Sequence, residues 1–364
     1  MKKVFIDGSA GTTGLRIRER LESRKDLQVV VLPEELRKDT EARRAALNES
    51  DVAFLCLPDA AAIEAVAMVE NPDTVVIDTS TAHRCADGWR YGFPEIMHPA
   101  LASRSGYNGG GESSLYGERP ASQIIVRRVT HEPRRIANPG CHASGFNALV
   151  APLVKAGLID RSAALCAFSL TGYSGGGKKM ISAYEEELEK KVGVGEIPLS
   201  HSHSELPLFY GGRQYALGQG HKHLPEMMKY CGLEKAPVFS PIVVPHLSGM
   251  EVTVQIQVKS KGEKVKSAEG FLSSIKECYR EFYGVAGEKR PGVVRFAETL
   301  DDGGFISSAA LSGRDDMLVG AYGNDERIIL VSLFDNLGKG ASGAAIQNMN
   351  LALGCEETEG LKIG

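Results

Sequence analysis

The feature that most constrains this chain is the rhythm of residues 1–80, where short apolar runs (4–6, 27–32, 52–57 and 75–77) alternate with stretches of helical period (15–21 and 60–69). Strands that run in the same direction need a helix-sized crossover between them. The rhythm therefore predicts a parallel sheet with helices on its faces. In such a sheet, ligands bind beyond the carboxyl ends of the strands. The first of those ends carries Asp7-Gly8-Ser9-Ala10-Gly11-Thr12-Thr13-Gly14, set between a strand and an amphipathic helix. Its glycine spacing suits a dinucleotide pyrophosphate: Gly8 permits a tight turn, Gly11 lets phosphate approach backbone N–H groups, and Gly14 allows the helix to pack closely. Glycine triplets also make plain turns, and it is the position between first strand and first helix that favours the nucleotide.

Beyond residue 160 the pattern changes. Runs at 165–170, 238–244, 250–258 and 328–333 are β-rich and joined by longer, irregular connections, which predicts a second, α+β domain. The tail 340–353 reads as a helix with little polar surface, to be buried against the first domain. The segment 103–120 (SRSGYNGGGESSLYGERP) lacks periodicity and apolar anchors and is expected to be a surface insertion. A net charge of −4, with both signs interspersed, gives no reason to expect nucleic acid or an acidic membrane as partner. The seven cysteines are scattered and never form C-x-x-C, which argues against a disulfide framework or a zinc site and for a reducing compartment. Met1-Lys2-Lys3 runs straight into a strand, and no stretch approaches the ~18 apolar residues of a membrane span, so a cytoplasmic protein is expected.

Three further strand ends carry candidate chemistry. After the second strand, Glu34, Glu35, Arg37 and Lys38 present both signs; Arg37 and Lys38 suit a ribose 2′-phosphate, the glutamates a free hydroxyl. Pro58 and Ser80 with Thr81 close the next strands and face the same cleft. Asn138-Pro139-Gly140-Cys141-His142 puts a cysteine between a rigid turn and a small-residue run that can open a helix. The free N–H groups and partial positive charge of a helix N-terminus favour a thiolate and can hold an oxyanion, making Cys141 a candidate nucleophile. In the second half, the segment 172–178 (GYSGGGK) exposes backbone N–H groups at Gly175 and Gly176 and adds Ser174 and Lys178, a combination that suits an anion. His221 and His223 stand two apart before a proline-led helix carrying Glu226; without a third ligand of matching spacing they read better as a base and its neighbour than as a metal site. His201 and His203 repeat the spacing without the Pro-Glu.

Taken together, GSAGTTG (8–14), IDTSTAHR (77–84), YGFPE (91–95), NPGC (138–141), GYSGGGK (172–178), HKHLPE (221–226) and DNLGKGASGAAIQNMNL (335–351) resemble the N-acetyl-γ-glutamyl-phosphate reductases of arginine biosynthesis, in the branch whose glycine turn reads G-T-T-G. The resemblance implies an α/β architecture: a Rossmann domain over 1–142 and 335–364, and an α+β substrate and dimerisation domain like that of glyceraldehyde-phosphate dehydrogenase over 143–334. It implies Cys141 as nucleophile and His221 or His223 as base. It also implies NADP(H) at 8–14, Arg37, Lys38, Pro58, Ser80, Gly175, Gly176 and Asn336, with the acyl-phosphate substrate at Asn138, Ser174, Lys178 and Glu226, in a homodimer or homotetramer. An aspartate-semialdehyde dehydrogenase-like enzyme is the nearest alternative, and a nucleotide-sensing protein without chemistry the more distant one. His142 departs from the family, which usually has an aromatic residue after the cysteine.

Overall fold

The computed structural model describes residues 1–97, 134–191, 208–258, 270–287, 292–324 and 326–364. The segment 103–120 lies outside them, as do His201 and His203. The amino-terminal half forms strands β1 (Lys2–Asp7), β2 (Leu27–Val30), β3 (Val52–Leu55), β4 (Val75–Asp78), β5 (Arg90–Tyr91) and β6 (Arg135–Ala137). They pair in the order β2-β1-β3-β4-β6-β5, every pair parallel. β3 and β4 are buried at every position, as strands covered on both faces must be. Side chains alternate between those faces. Ile6, Phe54 and Ile77 point toward helix α1 (Thr12–Leu21) and toward α9 (Gly343–Leu353), which returns from far along the chain to lay Ile346 and Met349 on this sheet. Phe5, Leu55 and Val76 face α2 (Thr40–Asn48) and α3 (Asp59–Ala67), where Leu47 and Ala65 receive them.

The remaining strands, β7 (Cys166–Gly172), β8 (Arg213–Gln214), β9 (Val238–Val244), β10 (Met250–Gln257), β11 (Val294–Phe296), β12 (Met317–Gly323) and β13 (Arg327–Phe334), form a mixed sheet in the order β11-β12-β13-β10-β7-β9-β8. Helices α5 (Cys141–Lys155), α7 (Leu224–Cys231) and α8 (Phe271–Tyr283) cover one face, packing Phe146, Leu149, Met227 and Tyr279 against Val252, Val254 and Leu330. On the other face Phe168, Val238 and Ile329 are exposed. Two further helices are α4 (Pro94–Met97) and α6 (Gly177–Lys191).

The polar residues of α9 are spent on tying the halves together. Asn350 Oδ1 accepts from Arg24 at 3.0 Å and Asn348 donates to the Gly92 carbonyl at 2.8 Å. Just before α9, Lys339 is buried over the Phe93 ring. Its Nζ donates to both oxygens of Glu95 (2.8 and 2.9 Å) and to Gln347 Oε1 (2.5 Å), so the charge is enclosed with a full set of acceptors.

Candidate active site

The carboxyl ends of β1, β3 and β4 open on a cleft of about 290 Å³, lined by Gly11, Thr12 and Thr13 on one side and by Pro58, Ser80, Thr81, Arg84, Gly177 and Lys222 around it. Gly8 has a φ of +82°, and a Cβ there would stand 2.8 Å from the Cys56 carbonyl carbon. A Cβ on Gly14 would come within 2.5 Å of the Gly8 oxygen, so α1 begins directly on the turn. Gly11 caps α1 without any side-chain hydrogen bond, which leaves the first-turn N–H groups for an anion. From the second half, Gly177 approaches so closely that its Cβ would lie 4.0 Å from Thr12 Oγ1. These features fit a dinucleotide pyrophosphate. Ser80 lines the cleft with its N–H and hydroxyl given to Asp78 (2.8 and 2.7 Å). Arg37 and Lys38 lie on the exposed turn after β2, outside the cleft lining, with Arg37 paired to Glu34 at 2.7 Å.

Cys141 is the first residue of α5, and the turn before it is pinned from several directions. Gly140 N–H donates to Glu226 Oε2 (3.0 Å), which also accepts from Tyr91 Oη (3.0 Å), while Glu226 Oε1 accepts from Arg84 Nη1 (3.0 Å). Arg84 Nε donates to the Asn138 carbonyl at 2.9 Å and Nη2 to that of Thr79 at 3.1 Å. Asn138 Nδ2 donates to the Ala341 carbonyl at 3.0 Å, and its buried Oδ1 has no partner among the described residues. Gly340 closes the far side: a Cβ there would stand 2.9 Å from Cys141 Cβ. Burial pushes the Cys141 thiol up from its ordinary value, while the charge of Arg84, a hydrogen bond from the His142 N–H and the charge of Lys222 pull it down. The sequence led us to expect the helix N-terminus to favour thiolate; in the fold that effect works against burial.

The histidines gather on the same spot. The ring of His223 packs so tightly on Gly140 that a Cβ there would lie 2.6 Å from His223 Cδ2, and His223 Nδ1 is buried with no hydrogen-bond partner among the described residues. His221 Nδ1 accepts from the His223 N–H at 3.2 Å, and the two rings meet edge to face at 4.6 Å. Burial and the charges of Lys222 and Arg84 push His221 down to about 4, and burial with Arg84 pushes His223 well below its ordinary value. Both are therefore neutral at pH 7, and burial makes each a weaker base than a free imidazole. His142 stands 5.2 Å from His221 and 5.4 Å from His223, ring centre to ring centre.

Several residues named from the sequence lie elsewhere than at an open surface of the cleft. Glu226 is buried and accepts from three protein donors, so its place is behind the nucleophile. Ser174 Oγ accepts from Asn336 Nδ2 (3.0 Å), and Asn336 Oδ1 accepts from Gly249 N–H (3.0 Å); this buried pair joins the end of β13 to the glycine-rich turn. Gly175, Gly176 and Lys178 are exposed at the start of α6. Sequence reasoning singled out no role for Arg84, Tyr91 or Tyr215. Arg84 and Tyr91 belong to quoted motifs, but nothing in their spacing links them to Glu226, 142 and 135 positions away.

Comparison with known proteins adds a consistent set of likenesses. A family model described as semialdehyde dehydrogenase, dimerisation domain, matches residues 141–336, and one described as semialdehyde dehydrogenase, NAD binding domain, matches residues 31–104. N-acetyl-gamma-glutamyl-phosphate reductase 2 of Nostoc sp. is 37% identical over 363 residues, 99% of each chain. N-acetyl-gamma-glutamyl-phosphate reductase of Sinorhizobium medicae is 38% identical over 354 residues, 96% of this chain and 98% of the other. Among solved structures, aspartate semialdehyde dehydrogenase II from Vibrio cholerae, complexed with ASA, has a TM-score of 0.65 at 15% identity, covering 97% of this chain and 98% of that one; the likeness is one of fold.

Proposed function

This chain belongs to the N-acetyl-γ-glutamyl-phosphate reductase family of semialdehyde dehydrogenases, and from that premise we propose that Cys141 is its covalent nucleophile and His223 its base. The reaction is the reductive dephosphorylation of N-acetyl-γ-glutamyl phosphate to N-acetylglutamate 5-semialdehyde, in arginine biosynthesis. The observation that carries the mechanism is the meeting of the pinned Gly140–Cys141 turn with the His221–His223 pair, beside Arg84 and Lys222, which line the cleft. Cys141 Sγ attacks the acyl carbon, the carbon–oxygen bond to phosphate breaks, and inorganic phosphate departs as a thioester forms on Cys141. A nicotinamide dinucleotide held in the cleft by Gly11, Thr12 and Thr13 would supply the hydride for reduction of the thioester carbon. The resulting thiohemiacetal collapses, releasing the aldehyde and the Cys141 thiol. His223 is the better placed base, because its ring lies directly against Gly140 and is neutral; it takes the thiol proton on attack and manages the proton at collapse. The N–H groups at the start of α5 face the carbon under attack and hold its oxyanion.

Arg37 and Lys38 give NADPH the advantage over NADH through the 2′-phosphate. Among the described residues no helix is long and apolar enough to cross a membrane. The seven free cysteines accord with a reducing cytoplasm. The uncovered face of the second sheet, with Phe168, Val238 and Ile329, is where two chains pair as a homodimer or as half of a tetramer.

The test is phosphate-dependent reduction of NADP⁺ in the reverse direction. Turnover with N-acetylglutamate 5-semialdehyde and little with aspartate semialdehyde is expected, and Cys141→Ser should abolish it while cofactor still binds. Turnover on aspartate semialdehyde alone, or an active Cys141→Ser enzyme, defeats the reading.

A further inference from the structure

His142 takes no part in the chemistry assigned so far, yet it is enclosed beside the nucleophile with both ring nitrogens engaged. Nδ1 lies 2.7 Å from Ser169 Oγ and Nε2 lies 2.7 Å from Tyr215 Oη. Ser169 stands on β7 and is 0% exposed; among the described residues its hydroxyl has no partner other than that ring nitrogen. Tyr215 follows β8 and is held there by its N–H, which donates to the Pro241 carbonyl of β9 at 3.0 Å.

A neutral imidazole has one donor and one acceptor nitrogen, so the protons along Ser169, His142 and Tyr215 have only two possible orders. If Nδ1 carried the proton, the Ser169 hydroxyl proton would be buried without an acceptor, the costlier arrangement. With Ser169 donating, Nδ1 accepts, Nε2–H donates to Tyr215 Oη, and the phenolic proton turns away from His142. The imidazole stays neutral, because burial and the neighbouring His221 and Lys222 push it down to about 3. The phenol stays protonated, because burial and the charge of a Cys141 thiolate push it up.

We propose that His142 is a positioning residue: with its tautomer fixed by Ser169, it donates to Tyr215 Oη and leaves the phenolic proton of Tyr215, whose ring stands 5.7 Å from that of His221, free to donate to the oxyanion formed on the carbon that Cys141 attacks. The residue that departs from the family's usual aromatic at this position thus gains a polar duty. The inference rests on Cys141 being the nucleophile, and its test separates the two.

The side-chain tautomer of His142 can be read by ¹⁵N NMR of the full-length, histidine-labelled protein. An Nε2–H tautomer between pH 8 and pH 5 is expected; an Nδ1–H tautomer or an imidazolium in that range overturns the proposal, whatever the substrate. Kinetics supply the second arm. His142→Phe removes the donor and should lower kcat by about ten- to hundredfold, as loss of a hydrogen bond to a developing charge does, with KM little changed. His142→Gln, whose carbonyl can accept from Ser169 and whose amide can donate to Tyr215, should recover most of that loss. In a Tyr215→Phe background, His142→Phe should cost nothing further. An equal loss in both backgrounds, or a Gln variant no better than Phe, means that His142 is only packing and overturns the proposal. A wild-type enzyme inactive on N-acetylglutamate 5-semialdehyde would instead defeat the functional reading, leaving the tautomer result to decide the role of His142.

Discussion

Gly140 offers the sharpest test of how the site is built. Its backbone, φ −76° and ψ 142°, is open to any residue, so alanine there carries no conformational strain. The new methyl, however, would stand 2.5 Å from Arg84 Nη1 and 2.6 Å from His223 Cδ2. Restoring ordinary contact near 3.4 Å requires both side chains, or the turn itself, to shift by roughly 1 Å. Arg84 is held by Glu226, Asn138 and Thr79, so His223 is the more movable. Misplacement of a catalytic group by ~1 Å can cost about 10²-fold in rate. Overpacking costs about 1–3 kcal/mol, partly offset by the ~0.4–1 kcal/mol that alanine gains by restricting the unfolded chain. Gly140→Ala should therefore lower kcat about a hundredfold, with a melting midpoint only a few degrees lower and cofactor affinity unchanged by fluorescence titration. Gly218→Ala is the control, since among the described residues nothing lies within 4 Å of the Cβ it would add. A Gly140→Ala enzyme with kcat within threefold of wild type would show that the ring against Gly140 is not the one that moves protons.

Labelling of Cys141 by iodoacetamide should climb steeply with pH and lag behind that of an ordinary cysteine at pH 7, because burial raises the thiol. Lys222→Met removes one of the charges that pull it down, so the same labelling should slow further; faster labelling would refute that electrostatic role. His142, His221 and His223 are held neutral in the folded state and gain protons on unfolding, so their contribution to stability is fully present above pH 6.5 and lost as pH falls from 6.5 toward 4. Urea midpoints measured across that window should drop, less so in His142→Phe; a flat profile would mean the rings are already charged in the fold. Arg37→Ala with Lys38→Ala should raise KM for NADPH and leave that for NADH alone, and equal changes for both cofactors would remove the 2′-phosphate from their account.

Local chemistry wrote the first half of the site in legible form. Gly8 and Gly14 are needed because of contacts within a few residues or with the adjacent strand end, and Cys141 opens a helix because the turn before it cannot continue one. The clamp behind the nucleophile was illegible, since Glu226, Arg84 and Tyr91 meet only through the fold and each, read alone, is an ordinary charged or aromatic residue. Burial also changed the meaning of residues that the sequence singled out. The family resemblance implied Glu226 as a substrate contact, whereas folding encloses it among three donors. The histidine pair kept two open assignments because spacing places both rings on one side; only the packing of His223 on Gly140 tells them apart.

The return of α9 to the first sheet has a consequence for how the chain comes into being. A ribosome adds roughly 5–20 residues per second. The sheet of β1–β4 is thus complete in sequence long before Ile346 and Met349 exist to cover one of its faces. During that interval Ile6, Phe54 and Ile77 lack part of their cover, and the nascent amino-terminal half is exposed to premature association. Lys339 and Glu95 meet only when this late segment arrives, so their pairing adds to the hold that the carboxyl-terminal part has on the first half. A fragment released before α9 should bind chaperone or aggregate, and adding the segment 335–364 as a separate peptide should rescue it in proportion to how well it seats on that bare face.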